Sequence, residues 1–145
     1  MNRDIPILLV EDDEVDVMTV QRAFKTHKMS NPLKVCMHGE DALAYLRREP
    51  PYTNLASEPM PGLILADLNM PVMNGIELLR ELKLDESLKR IPVIVLTSSD
   101  QEQDLVESYA LSVAGYIVKP VTFLEFVDVV RVLDIYWSMC RFPKE

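Results

Sequence analysis

Five short apolar runs recur along the chain, each followed by an amphipathic stretch, and this alternation restricts the fold more than any other feature. The first, Ile5-Pro6-Ile7-Leu8-Leu9-Val10, is continuous rather than alternating, as suits a strand buried on both faces. Runs at 33–37, 62–66, 91–96 and 115–118 repeat the pattern, with Pro92 tolerable only near the start of its strand. Between them the apolar residues fall at helical spacing. Val17, Val20 and Phe24 mark a helix over 13–27, and Ala42, Leu43 and Leu46 one over 39–48. Ile76, Leu79 and Leu82 mark a third, and Leu105, Tyr109 and Ala110 a fourth. Thr122 caps a long last helix that runs to about residue 137.

Strands and helices in strict alternation imply right-handed crossovers and a parallel sheet. The expected architecture is α/β, a flavodoxin-like (βα)5 three-layer sandwich with strand order 2-1-3-4-5. At 145 residues, 48% of them apolar, the chain suits one domain with a substantial core. The connection over 49–61 holds four prolines and is expected to lack regular structure, as a loop within one domain rather than a linker.

The formal net charge of −8 argues against a nucleic-acid-binding surface, which needs a basic patch. No apolar run is long enough to span a membrane, and without a removed leader the chain is expected in the cytoplasm. Cys36 and Cys140 have no metal-ligand spacing; Cys36 reads as a small core residue and Cys140 as a free thiol near the tail.

Ligands of open parallel sheets bind beyond the carboxyl ends of the strands, at the switch in strand order. Those ends carry Glu11-Asp12-Asp13, Asp67-Leu68-Asn69, Thr97-Ser98-Ser99 and Lys119-Pro120. Taken singly, each has a structural reading. An acid after a strand is as readily a helix N-cap, Asp67 as readily a turn acid, Thr97 a cap and Lys119 a solvated cation. Those readings do not explain why all four groups fall at one side of the sheet. Carboxylates gathered there repel one another and call for a cation, and oxygen-only donors select a hard ion such as Mg²⁺. Asp12 and Asp67 suit direct ligation, Glu11 ligation through water, and the Asn69 backbone carbonyl a further place. One carboxylate then serves as a nucleophile toward phosphorus, with Lys119 and the Thr97 hydroxyl meeting the phosphoryl oxygens.

These residues resemble, over about 4–137, the receiver domain of bacterial response regulators. The resemblance rests on Ile7-Leu8-Leu9-Val10-Glu11-Asp12-Asp13, on Leu65-Ala66-Asp67-Leu68-Asn69-Met70-Pro71 with Asn74-Gly75, on Ile94-Val95-Leu96-Thr97, and on Tyr116-Ile117-Val118-Lys119-Pro120. It implies that Asp67 is the phosphoacceptor and that Glu11, Asp12, Asp67 and the Asn69 carbonyl surround Mg²⁺. It makes Thr97 the switch hydroxyl, Lys119 the phosphoryl partner and Tyr116 the aromatic switch, with the Lys119–Pro120 bond in cis. Glu11 stands where many receivers have Asp. The long loop before the third strand and the tail from Tyr136 to Pro143 resemble the stand-alone regulators of phytochrome-type histidine kinases. Such a chain is a signalling phosphoacceptor rather than an enzyme, acting by protein contact or phosphorelay.

The last helix carries more apolar surface than one docked face requires, since Glu125, Asp128, Arg131 and Asp134 leave only a narrow polar stripe. The surplus predicts a homodimer, against a deeper burial of the helix by the tail. His27 reads as a favourable charge at a helix end, His38 as a turn residue, and Met70 and Met73 as part of a docking surface for a kinase. Three rival readings fit less well. A phosphatase of the aspartyl-phosphate kind would carry Asp-x-Asp after the first strand. A flavin mononucleotide carrier would carry a Ser/Thr/Gly loop where Glu11-Asp12-Asp13 repels phosphate. A degenerate scaffold would have lost the acids or the lysine.

Overall fold

The computed structural model describes residues 3–70, 73–98, 100–108 and 110–139. Five parallel strands, β1 Ile7–Val10, β2 Leu33–Cys36, β3 Leu63–Asp67, β4 Val93–Thr97 and β5 Gly115–Val118, form one sheet in the order β2-β1-β3-β4-β5. Five helices alternate with them: α1 Glu14–His27, α2 Gly39–Arg47, α3 Gly75–Leu84, α4 Asp100–Ser108 and α5 Phe123–Met139. The strand order and the flavodoxin-like layering are those expected from the alternation of the sequence.

Strand parity divides the core in two. Ile7, Leu9, Leu63, Leu65 and Leu96 meet α1 and α5 through Val17, Val20, Phe24, Phe126, Val130, Leu133 and Trp137. Leu8, Val10, Ile64, Ala66, Val93 and Val95 meet α2, α3 and α4 through residues such as Leu43, Leu46, Leu79, Leu82 and Val106. Side chains alternate across a sheet, so each central strand serves both layers and must be apolar throughout. The four residues of β1 are fully buried for that reason.

Local signals set the helix ends. Asp13 Oδ1 accepts from the backbone N–H of Val15 at 2.8 Å and of Asp16 at 3.3 Å, capping α1. Asn74 Oδ1 caps α3 by accepting from Glu77 N at 3.0 Å. Thr122 Oγ1 accepts from Glu125 N at 3.2 Å, while Glu125 Oε2 accepts from Val121 N at 3.2 Å, a reciprocal cap at the start of α5.

Four expectations need revision. Leu105 does not mark the inner face of α4: it is 46% exposed, and Val106 carries the core contact instead. The strongly polar helix gives one buried apolar side chain to that core, against which Leu111 and Val113 of the following loop also pack. Ala110 lies past the helix with φ 54°, and Tyr109 falls outside the described residues. The proline-bearing connection contains one 3₁₀ turn, Thr53–Leu55, so it is not wholly irregular. Asp134 is not a member of a solvated stripe, since it pairs with Arg3 at 2.6 Å and His27 at 3.0 Å, tying α5 to the end of α1. The tail from 140 onward, including Cys140, lies outside the described residues.

The connection over 49–61 is held by side chains rather than by backbone ladders. Arg48 donates to the carbonyls of Glu58 and Pro59 at 3.1 and 3.2 Å, and Tyr52 Oη donates to Asp41 at 2.7 Å. The Tyr52 ring meets Tyr45 edge-on, with the Lys34 ammonium over both. Cys36 lies buried beside this cluster, and burial pushes its thiol up to about 12, so it is the core residue expected.

Trp137 is 0% exposed, and its ring lies where a Cβ on Gly62 would have to go. Trp137→Ala should therefore cost about 3–5 kcal/mol by opening a cavity, and Gly62→Ala about 1–3 kcal/mol by overpacking. Urea denaturation checks both, and a loss below about 1 kcal/mol in each variant would contradict this packing.

Candidate functional site

Parity also decides which side chains meet at the top of the sheet. Glu11 and Asp67 continue the faces of β1 and β3 that look toward α1 and α5, and Lys119 continues the same face of β5. Thr97 and Tyr116 continue the opposite face of β4 and β5. The nucleophile candidate and the lysine thus share one layer, and the two switch candidates share the other.

Glu11 is 1% exposed and Asp67 is buried beside it. Carboxylate oxygens of Glu11, Asp12 and Asp67 lie within 4.8 Å of one another. Lys119 Nζ enters this group, 2.7 Å from Glu11 Oε2 and 3.4 Å from Asp67 Oδ2. It also donates to Asp16 Oδ2 at 2.9 Å. Glu11 Oε2 is buried and meets the Lys119 ammonium at 2.7 Å, with no other donor on it among the described residues. Burial, more than any other cause, pushes Glu11 up to about 7, with the Asp67 charge adding to the rise and Lys119 opposing it. Burial likewise raises Asp67, against the pull of Lys119 and of the Asn69 backbone.

The loops that present these groups are held tightly. Lys119 N donates to Thr97 O at 2.8 Å, which continues the β4–β5 ladder and delivers the lysine to the crevice. The Lys119–Pro120 bond is trans, contrary to the family expectation; among the described residues the one cis peptide joins Pro50 and Pro51. The lysine reaches the acids because β5 stays in register to its end, where the backbone bond to Thr97 holds it. After Asp67 the chain folds back so that Gly75 N donates to Leu68 O at 2.9 Å. A Cβ on Gly75 would lie 2.7 Å from Leu68 Cα and 2.8 Å from Asp67 O, so the motif glycine permits the close approach.

The remaining expected residues are placed as follows. Asp12 is half-buried within the acid cluster. Asn69 is exposed, with its backbone N–H 3.4 Å from Asp67 Oδ1 and its carboxamide bonded to Glu102 of α4. Thr97 is buried at the end of β4, and Tyr116 is half-buried against the α4 side of the core. Met70 is buried and offers no docking surface, while Met73 is half-buried and lies against Gly39. His38 precedes α2 as its N-cap without a side-chain bond, and His27 pairs with Asp134 as described.

Two neighbours of the site were not singled out from sequence. Asp16 comes from the first turn of α1, and the signal for it is the shared layer of α1, Glu11 and Lys119. Glu102 reaches back from the first turn of α4 to Ser98 and Asn69, as acids near a helix start commonly do.

An all-oxygen group of three clustered carboxylates, with one lysine to balance them, fits a divalent hard cation with open positions for a further ligand. Among the described residues no helix is long and apolar enough to cross a membrane.

Residues 7–131 match the family model of the response regulator receiver domain. The chain is 40% identical over 131 residues to the response regulator Rcp1 of Synechocystis sp., an overlap of 90% of this chain and 87% of that protein. It is 30% identical over 122 residues to the chemotaxis protein CheY-3 of Vibrio cholerae, covering 84% of this chain and 85% of that one. The phosphorylated cyanobacterial phytochrome response regulator RcpA has a crystal structure similar to this one, with TM-score 0.84 and 37% identity over 97% of this chain and 99% of that chain. The Mn(2+)-bound form of Rcp1 is similar with TM-score 0.81 and 38% identity, again over 97% and 99%. Matched over most of its length and carrying its acids and lysine where the strands end, the chain belongs to the response regulator receiver family, whose members accept a phosphoryl group on an aspartate.

Proposed function

We propose that this chain is one receiver domain acting as a stand-alone regulator, and that Asp67 accepts a phosphoryl group from a histidine kinase. The observation that supports the reading is the buried Asp67 carboxylate clustered with those of Glu11 and Asp12 and 3.4 Å from the Lys119 ammonium. In the transfer, an Asp67 oxygen forms a bond to phosphorus as the phosphorus–nitrogen bond of the donor histidine breaks. Glu11, Asp12, Asp67 and the Asn69 carbonyl are the groups that would hold Mg²⁺. The cation supplies positive charge opposite the phosphoryl oxygens. Lys119 supplies a second positive charge, and the Thr97 hydroxyl a hydrogen bond. Hydrolysis of the acyl phosphate is slow self-dephosphorylation, not turnover of an external substrate.

Thr97 and Tyr116 lie in the layer opposite Lys119, against α4. Movement of Thr97 toward the phosphoryl group frees space for Tyr116, which alters the surface of α4, β5 and α5. The likeness to phytochrome regulators favours a phytochrome-type kinase upstream, acting in the cytoplasm.

The chain also forms a homodimer through α5 and the outer edge of β5. Val132 and Ile135 are 55% and 48% exposed, and Leu124 and Met139 are more so. An apolar groove of about 440 Å³ runs beside them between α5 and β5, lined by Ile94, Ile117, Val129, Val132 and Tyr136. Apolar surface of this kind on a helix already docked by its other face suits a second copy.

Three outcomes test these statements. Incubation with Mg²⁺ and acetyl phosphate should add one phosphoryl group by intact mass. Asp67→Ala or chelation of the metal should abolish the adduct, and an adduct that survives both would overturn the assignment. The second outcome concerns pH. Between 4.5, the ordinary value, and about 7, the folded metal-free protein keeps a proton on Glu11 that the unfolded chain has lost. Its stability should therefore fall as pH rises through that window, by up to about 1.4 kcal/mol per pH unit. Mg²⁺ should restore stability at about pH 8 and do little at about pH 5, where it must displace a proton. Thermal melts of wild type and Glu11→Gln check this, and equal Mg²⁺ stabilisation at both pH values would contradict it. Third, Val132→Glu should shift light-scattering mass from dimer to monomer at micromolar concentration, and a wild type that is monomeric with and without phosphorylation would rule out the dimer.

A further inference from the structure

Lys119 has three donors and no acceptor capacity, and three carboxylates surround it. The separations are unequal: Glu11 at 2.7 Å, Asp16 at 2.9 Å and Asp67 at 3.4 Å. The aligned hydrogen bond goes to Asp16. The ammonium therefore sits nearer to Glu11 and Asp16 than to the proposed acceptor aspartate.

Asp16 differs from the other two acids. It is outside the cluster of Glu11, Asp12 and Asp67 that could hold a cation, and it is not the phosphoryl acceptor. Its position is nonetheless fixed. The Asp13 cap takes the backbone N–H of Asp16 at 3.3 Å, and the following turns of α1 are packed on the sheet through Val17 and Val20. Its side chain is 30% exposed and that of Lys119 22%, so solvent weakens the pair without removing it.

A phosphoryl group on Asp67 replaces the single carboxylate charge with about −1.5 to −2 and brings three acceptor oxygens. The phosphoryl oxygens draw on the same ammonium that these carboxylates now hold, so they compete with its present partners for it. Glu11 belongs to the acid cluster that would hold the cation, whereas Asp16 lies outside it, so Asp16 is the partner left to compete with the phosphoryl group. Resting on the functional reading above, we propose that Asp16 is a positioning residue that retains Lys119 in the unphosphorylated protein and competes with the phosphoryl group for it. The strength of that grip sets how readily the domain enters its phosphorylated state. Neutralising Asp16 frees the lysine and favours the anion-bound form.

Calorimetric titration of the full chain with beryllofluoride, at saturating Mg²⁺, tests this. Asp16→Asn should tighten binding about three- to tenfold, the range of a partly screened ion pair. Glu14→Gln, which removes the same charge from the same helix turn, should change it less than about twofold, because that residue makes no contact with Lys119. Asp16→Ser should behave as Asp16→Asn does, so that the result does not hang on one variant's folding. Mg²⁺ affinity measured alone should stay within about twofold, since Asp16 is outside the acid cluster. If wild type shows no beryllofluoride binding that depends on Mg²⁺ and Asp67, the functional reading fails, and this inference with it. If wild type binds and the Asp16 variants bind no more tightly, or more weakly, the inference alone is overturned. It is overturned too if Glu14→Gln reproduces their gain.

Discussion

Burying Glu11 and Asp67 side by side at the ends of neighbouring central strands creates a demand for positive charge, and the rest of the site answers it. Neither carboxylate is at ease: burial raises both above the ordinary range for an acid. Lys119 meets part of the demand from β5. Three carboxylates against one lysine leave the acid cluster short of positive charge, which fits a cation. Such an arrangement is poor for stability and suited to chemistry, since the charges are matched only when further groups arrive.

Sheet parity makes the arrangement possible. Residues two apart on a strand share a face, so the apolar pattern of β1, β3 and β5 fixes where Glu11, Asp67 and Lys119 point. The same rule sends Thr97 and Tyr116 to the other layer, next to α4. The proposed acceptor aspartate and the two switch candidates are thus on opposite sides of one sheet, joined by the ends of β4 and β5. The backbone bond from Lys119 to Thr97 connects the two directly.

Much of this was legible in the sequence because it depends on local pattern. Five buried strands need five apolar runs, and ligands of such sheets bind at strand ends, so the acids, Thr97 and Lys119 read as one group from the sequence. What escaped depends on contacts between distant residues. Nothing local distinguishes Leu105 from Val106 as the buried residue of α4. Asp134 reads as solvated until Arg3 and His27 are seen beside it. Asp16 looks like an ordinary acid of a first helical turn, and only the packing of α1 over β1 brings it to Lys119. The loop over 49–61 escaped for the same reason, since its order comes from Arg48 and Tyr52 rather than from its own backbone.

The central claim is that Asp67, and not another acid of the cluster, forms the bond to phosphorus. Borohydride reduction of the acetyl-phosphate-treated protein converts an aspartyl phosphate to homoserine, and peptide mass spectrometry then locates the residue. The account predicts homoserine at position 67 and at no other aspartate. Homoserine at Asp12 or Asp16, with Asp67 unmodified, would contradict it.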